Sequence, residues 1–428
     1  MKKWPQEEQD FFEKLLTLGL GYEEIRTRMI EAGFPDRGAR AYPSKADRLR
    51  QGRPPVAIKD LTGRDQTQKV YTILRDNPTT LRVLCDKLDL PPKEVRRIID
   101  EMIADGYNII EQDESFVAPV HYGAPKVTLK DVVIADTDFH RVSIAFVSDL
   151  HVMSVCAQPT ALNSFLYYAV EQHGVEHVFI PGDIFAGVYV YRGQEQDLIP
   201  AGRPQNRSLA HLVVDRAVWT ADKYIPRIDG VTYWALGGNH DYSMIVNTGL
   251  DPVRKLCKLR DDIRYLGYDA CSIPLTEKTY LKLIHPTGGP AYAVSYKVQK
   301  AIEQQAINAL MSAIEREEEP KVSIIMMGHY HLAGWVPDYP IMGGLPGCFE
   351  GQTNYLKRKG LYPKIGGTIL ELGFDRLARP APVGYHFIPF PEIDDDYKNW
   401  PQPEIEELST KPEDLDIVFE LIEPEESE

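Results

Sequence analysis

From residue 142 onward, five apolar, strand-like runs each lead directly into residues that bind metals, and no other feature of the sequence restricts the fold so sharply. Val142–Val147 precedes Ser148-Asp149-Leu150-His151. His177–Ile180 precedes Pro181-Gly182-Asp183, and Val231–Leu236 precedes Gly237-Gly238-Asn239-His240-Asp241. Tyr280–Ile284 precedes His285-Pro286, and Val322–Met327 precedes Gly328-His329-Tyr330-His331. Between these runs lie helical stretches, so residues from about 127 to 390 are expected to form a layered α/β domain. Ligands of open α/β sheets collect beyond the carboxyl ends of the strands. Asp149, His151, Asp183, Asn239, His240, His285, His329 and His331 are therefore expected on one rim.

Carboxylates and imidazoles suit Mn²⁺, Fe²⁺, Zn²⁺ or Ni²⁺ better than Ca²⁺. Asp149/His151 and His329/His331 are spaced i, i+2, which in extended backbone puts both side chains on one face. The donors exceed what one ion needs, whereas two ions bridged by a carboxylate would use them. Gly182, Gly238 and Gly328 let the backbone turn tightly beside a ligand. One such motif alone is ordinary polar surface; five in succession, each after a strand, are not.

The set Asp-x-His, Gly-Asp, Gly-Asn-His-Asp, His and Gly-His-x-His resembles the calcineurin-like metallophosphoesterase superfamily. That resemblance implies a two-layered β-sandwich flanked by helices around two divalent metals, Mn²⁺ first and Fe, Zn, Ni or Mg as alternatives. It implies that Asp149, His151 and His331 hold one metal, that Asn239, His285 and His329 hold the other, and that Asp183 bridges them. A hydroxide between the metals would attack phosphorus. His240 would protonate the leaving oxygen or clamp the phosphate, and Asp241 would orient His240. The sequence departs from many relatives at Ala186, where they carry a carboxylate or histidine, and it lacks the Asp-Arg-Gly of protein phosphatases.

The amino-terminal part divides differently. Residues 1–60 read as a helical, helix-turn-helix-like unit: Phe11, Phe12, Leu15, Leu16 and Leu18 lie at helical spacing, and Tyr22–Ile30 follows a Gly-Leu-Gly turn. Arg37, Arg40, Lys45, Arg48, Arg50, Arg53 and Lys59 then form a basic flank. Residues 61–122 predict helices at Gln66–Arg75, Thr80–Leu88 and Pro91–Ala104, followed by short strands at Tyr107–Gln112 and Ser115–Val117. This order resembles the winged-helix family, with Lys93, Arg96 and Arg97 on the reading helix. The segment is acidic overall, which departs from a strong DNA binder. Residues 123–390 are assigned to the α/β domain, after a short linker at His121–Lys126.

Charge follows the same divisions. The net charge is −15, but residues 391–428 hold most of it and read as an acidic, disordered tail. The near-neutral body can still present basic patches to a polyanion. Five scattered cysteines without a CxxC pair argue against a disulfide framework or a thiolate zinc site. With no long apolar run and no apolar leader after Met1, the expected compartment is cytoplasmic.

Substrate cues come from two loops and from the N-terminal units. Val188–Glu195 carries Tyr189, Tyr191 and Arg192 just after Asp183, and it resembles the same place in the small subunit of archaeal family-D DNA polymerases. Aromatics with an arginine suit stacked bases and a clamped phosphate. Gly343–Thr353 with Lys357, Arg358 and Lys359 could line a substrate rim. The whole arrangement resembles helix-turn-helix-bearing phosphoesterases of phages and prokaryotes and, more distantly, DNA-repair exonucleases. The leading expectation is a nuclease, with DNA as substrate and repair or replication proteins as partners. The alternative is a phosphodiesterase or phosphatase on nucleotides or cyclic nucleotides, with the N-terminal units used for regulation or assembly. A DNA-binding scaffold with a structural metal is the third reading.

Overall fold

The computed structural model describes residues 12, 22–35, 63–75, 78–105, 107, 109–112, 115–118, 134, 141–203, 210–276, 279–289, 295–315, 322–337, 340–375 and 380–403. The basic flank with Arg37, Arg40 and Arg48, the 121–126 linker and residues 404–428 lie outside them. Helix α1 (Tyr22–Glu31) buries Ile25 and Met29. Helices α2 (Gly63–Leu74), α3 (Leu81–Leu88) and α4 (Pro92–Asp105) follow within a residue or three of their expected bounds. A two-residue strand, β1 (Thr79–Thr80), precedes α3. Thr80 then caps that helix by accepting a hydrogen bond from the Val83 N–H.

The expected hairpin is present as β2 (Ile110–Gln112) and β3 (Ser115–Val117), and with β1 it makes a small antiparallel sheet ordered β1-β3-β2. The first strand is shorter than its apolar run. Tyr107 leaves the hairpin to make an antiparallel bridge with Leu250.

The larger body is a sandwich of two sheets. One combines β4 (Arg141–Phe146), β5 (His177–Pro181), β6 (Thr232–Gly237) and β7 (Ile263–Tyr268), all parallel. The other begins with β8 (Ala270–Pro274), β9 (Tyr280–Ile284) and β10 (Val322–Met327). It is completed by β11 (Ala333–Val336) and β12 (Met342–Pro346), in the order β11-β12-β10-β9-β8. Strands β13 (Gly366–Phe374) and β14 (Pro380–Pro389) return antiparallel to extend the first sheet to β14-β13-β4-β5-β6-β7.

Strand alternation explains the layers. Along β4, Ile144 and Phe146 face the second sheet and pack with Leu281, Leu283, Ile324 and Met326. Ala145 and Val147 face the other way, into a core shared with helices α5 (Pro159–His173) and α6 (Ala210–Tyr224). Helices α7 (Asn239–Thr248) and α8 (Pro252–Leu259) close that layer, while α9 (Tyr296–Glu315) covers the second sheet through Val298 and Ile302.

Two packing relations bear on function. The 63–118 unit shares a core with the first sheet's helices, with Tyr71, Leu74 and Met102 in the same apolar cluster as Ile245 and Leu250. Tyr71 also donates a hydrogen bond to the Ile245 carbonyl at 3.1 Å, so the unit is fixed to the C-terminal end of α7. Residues 391–403, expected in the acidic tail, pack on α5. Its Gln158 N-cap makes no side-chain capping bond. Instead Asp396, fully buried, accepts from both the backbone N–H and the hydroxyl of Thr160.

Candidate metal centre

The five strand ends named from the sequence converge, three from the first sheet (β4, β5, β6) and two from the second (β9, β10). The route differs from the expected one. Asp149, His151, Asp183, His329 and His331 are not in extended backbone; all five have positive φ, between 42° and 80°. Left-handed backbone at non-glycine residues is costly and persists where surroundings enforce it. Here the enforcing bonds are visible. Asp149 N–H donates to Gly182 O at 3.2 Å, His151 N–H to Asp183 O at 3.1 Å, and His329 N–H to the Asp149 carboxylate at 2.9 Å. Gly182 has no alternative: a Cβ there would lie 2.1 Å from His285 Nδ1.

Three groups of side chains offer ligand atoms within 4.8 Å of one another: Asp149, His151 and His331; His151, Asp183 and His240; and Asp183, His285 and His329. Asp183 sits between the outer two. Its Oδ2 lies 3.1 Å from His285 Nε2 and 3.8 Å from His151 Nε2, and its Oδ1 accepts the His240 N–H at 2.9 Å. Asn239 Oδ1 is 3.2 Å from His285 Nε2.

The imidazoles are presented with one nitrogen engaged. His285 Nδ1 pairs with Pro181 O at 2.7 Å, His329 Nε2 with Gly288 O at 2.7 Å, and His240 Nδ1 with Ala186 O at 2.8 Å. Carbonyl acceptors require the proton on those nitrogens, so in the neutral ring the opposite nitrogen carries the lone pair.

The electrostatics suit a bound cation. His151 Nε2 and His331 Nε2 face each other at 3.0 Å. Burial, reinforced by the neighbouring histidines, holds His151 well below its usual value and lowers His331 to about 3, so both are neutral. Burial pushes Asp149 up to about 7. Burial also raises Asp183, but His285 and His240 outweigh it and hold that carboxyl well below the usual range. Burial opposes a charge on His285, yet the Asp183 carboxylate raises it to about 9. A proton on His285 thus occupies the position of positive charge that a metal would compete for. The residues present fit divalent cations: neutral imidazoles, carboxylates and an amide oxygen, converging and buried.

One expectation meets a different arrangement. Asp241 does not hold the His240 ring. Its buried carboxylate accepts from Gly238, Ile184 and Phe185 N–H at 2.8, 3.2 and 2.7 Å, which ties the β5 and β6 loops together. The ring is held instead by the Ala186 carbonyl, at the position where relatives carry a polar side chain. Glu350, within the Gly343–Thr353 run expected at a substrate rim, stands instead beside the ligand histidines. It is 6% exposed, and Oε2 lies 3.8 Å from both His151 Nε2 and His331 Nδ1. Its sequence signal is a lone carboxylate inside Gly347-Cys348-Phe349-Glu350-Gly351, a run too short and apolar to be a solvated face.

The other expected contacts lie apart. Tyr191 stands beside the centre, its ring 6.3 Å from His240 and 4.8 Å from Tyr355, with Arg192 exposed next to it. Tyr355 belongs to α10 (Asn354–Lys359), where Lys359 lies 5.8 Å over its ring. Lys93, Arg96 and Arg97 are on α4. Arg96 makes a bidentate pair with Glu111, and Arg97 pairs with Glu94 and Glu101.

A family model for calcineurin-like phosphoesterases matches residues 142–333. No curated protein matches the chain. Among solved structures, an archaeal phosphodiesterase is 14% identical over 58% of this chain and 100% of its own, with a TM-score of 0.29. Vps29 of Entamoeba histolytica complexed with Zn²⁺ is 14% identical over 58% of this chain and 99% of its own, with a TM-score of 0.26. A Staphylococcus aureus protein described as a 5′-nucleotidase is 12% identical over 60% of this chain and 57% of its own, with a TM-score of 0.31. Strands β13 and β14 fall outside the matched span but complete its larger sheet. Residues 142–333 are therefore a calcineurin-like metallophosphoesterase domain, of a hydrolase superfamily whose members bind divalent metals.

Proposed function

We propose that the protein is a metal-dependent phosphodiesterase that cleaves nucleic acid, with DNA as the leading substrate and Mn²⁺ as the leading metal. Asp149, His151 and His331 would hold one cation, Asn239, His285 and His329 the second, with Asp183 shared. Two divalent cations there would polarise the phosphoryl oxygens and acidify a water molecule. The chain's own residues do the rest. The Ala186 carbonyl keeps the His240 Nδ1 proton in place and turns Nε2 toward the site, where it can protonate a leaving oxygen or grip a phosphate. Asp241 holds the loops that carry Asp183 and Asn239 in register.

The observation that favours nucleic acid is the aromatic pair at the lip. Tyr191 and Tyr355 lie one ring from His240, with Lys359 over Tyr355 and Arg192 exposed beside Tyr191. Aromatic surface next to basic side chains suits a base and its phosphate, and contributes about 1–3 kcal/mol per stacked base. We read residues 63–118 as a winged helix anchored on the C-terminal end of α7, the helix whose first turn carries His240.

One observation favours the second reading, in which the substrate is a nucleotide or cyclic nucleotide and the N-terminal units regulate or assemble. Arg96 and Arg97, expected to meet nucleic acid, are already paired to carboxylates of their own unit. The test is Mn²⁺-dependent cleavage of labelled single- and double-stranded DNA, run beside bis(p-nitrophenyl) phosphate. Metal-dependent degradation of DNA is expected. Cleavage of the small diester with intact DNA would move the assignment to nucleotides. Neither substrate cleaved with Mn²⁺, Zn²⁺, Fe²⁺, Ni²⁺ or Mg²⁺ would remove the hydrolytic reading.

A further inference from the structure

We infer that Glu350 is a positioning residue of the metal centre: its buried carboxyl faces the second nitrogen of His331 and orients that histidine toward a cation. The inference rests on the two-cation reading above and adds a residue to it.

Three observations carry it. First, His331 Nδ1 is buried and has no hydrogen-bond partner, which is rare and needs a reason. The carboxylate facing it is Glu350, with Oε2 at 3.8 Å, too long for a hydrogen bond and within ion-pair reach. Second, among the described residues no lysine or arginine pairs with Glu350; its charged contacts are His151 and His331. A buried carboxylate without a cation is costly. Third, the backbone holding it is bound to the centre. Phe349 N–H donates to Asp149 O at 3.1 Å, Gly351 N–H to Cys156 O at 2.8 Å, and Glu350 bridges Ala157. The side chain, which also has a hydrogen bond with Ser154, is therefore fixed where it stands, with no lysine or arginine partner among the described residues, beside the two imidazoles that meet at 3.0 Å. Metal-bound histidines commonly give their other N–H to a carboxylate, and losing that partner costs about 10–100-fold in metal affinity.

The test uses the full chain and Mn²⁺ alone, titrated with the free-ion EPR signal as readout, and compares Glu350→Ala, Glu350→Gln and Glu350→Asp. Glu350→Ala is expected to weaken one of two Mn²⁺ ions by about 10–100-fold and spare the other, with partial recovery in Glu350→Asp. The melting temperature of the metal-free chain is expected to hold or rise in Glu350→Gln, because a buried carboxyl without a lysine or arginine partner has been replaced by a neutral amide of the same shape. A merely structural glutamate would instead lower it and leave Mn²⁺ affinity alone. If Glu350→Ala does not fold, the near-isosteric Glu350→Gln carries the same titration. Two ions bound by wild type and variant with equal affinity would overturn this inference only. No Mn²⁺ bound by wild type would overturn the two-cation reading and this inference with it.

Discussion

The rim of the sandwich and the exposed face of α4 both concentrate charged or titratable side chains, and they treat them oppositely. At the rim, Asp149 and Glu350 are buried beside His151 and His331, two histidines that burial and mutual contact hold neutral. On α4, Arg96 and Arg97 are about half exposed, and each is satisfied by carboxylates of the same unit. Charge that is buried and short of partners marks a place built for something else to arrive. Charge that is exposed and paired is a solvated surface worth little. The same residue types in the sequence therefore carry different weight.

The largest effect should come from Asp183→Asn. It removes the carboxylate common to two of the three ligand groups and leaves His285 without its nearest charged partner. At least one bound metal should be lost by elemental analysis, and the metal-free chain should lose about 3–5 kcal/mol by urea titration. Two ions retained would show that Asp183 does not bridge, and the rim would then resemble α4 more than the comparison allows. Next is His240→Ala. Its ring is held by a backbone carbonyl, and no described metal group depends on it alone. Metal content should be unchanged while kcat falls by about 10²–10⁴-fold. Turnover near the wild-type level would end the proton-donor role.

What could be read from the sequence followed from regular backbone, and what could not followed from irregular backbone. β4, β5, β6, β9 and β10 were visible because apolar runs of strand length lead into Ser-Asp, Gly or His. The ligand candidates were visible because they follow those ends. Their left-handed conformations were not, since nothing in Asp149-Leu150-His151 encodes φ; long-range bonds such as His329 N–H to Asp149 impose it. The hold on His240 was hidden for a related reason: the Ala186 carbonyl is an acceptor any residue could supply. Glu350 is one carboxylate in an apolar loop, and only folding sets it opposite His331. In the acidic segment, net charge concealed that Asp396 turns inward to cap a helix 236 residues earlier. Likewise β1, at two residues, is too short to leave a periodic signal.

Tyr355→Ala probes the lip between these extremes. Tyr355 is 38% exposed and packs on Tyr191, so its loss should cost little stability. It should raise KM for DNA by about 5–100-fold, the weight of one stacked base, while leaving cleavage of bis(p-nitrophenyl) phosphate within about threefold. Equal losses on both substrates would mean that the tyrosine supports α10 and does not stack on substrate. Tyr355→Phe should restore DNA cleavage, because stacking needs the ring and not the hydroxyl.

The smallest effect belongs to Arg96→Ala, and it tests the comparison from the other side. The guanidinium is bound to Glu111 at 2.8 and 2.9 Å and lies 5.2 Å over Phe116. With 43% and 47% of the two side chains exposed, the pair should contribute little to stability. If the arginine stays with its carboxylates, DNA affinity should change by less than about twofold, and the slope of log affinity against log salt should not move. If it leaves them for a phosphate, the slope should drop by about one. That drop would mean a polyanion outcompetes a bidentate ion pair on α4. Pairing within the unit would then be a resting state of a nucleic-acid surface, and exposure with partners would no longer distinguish α4 from the rim.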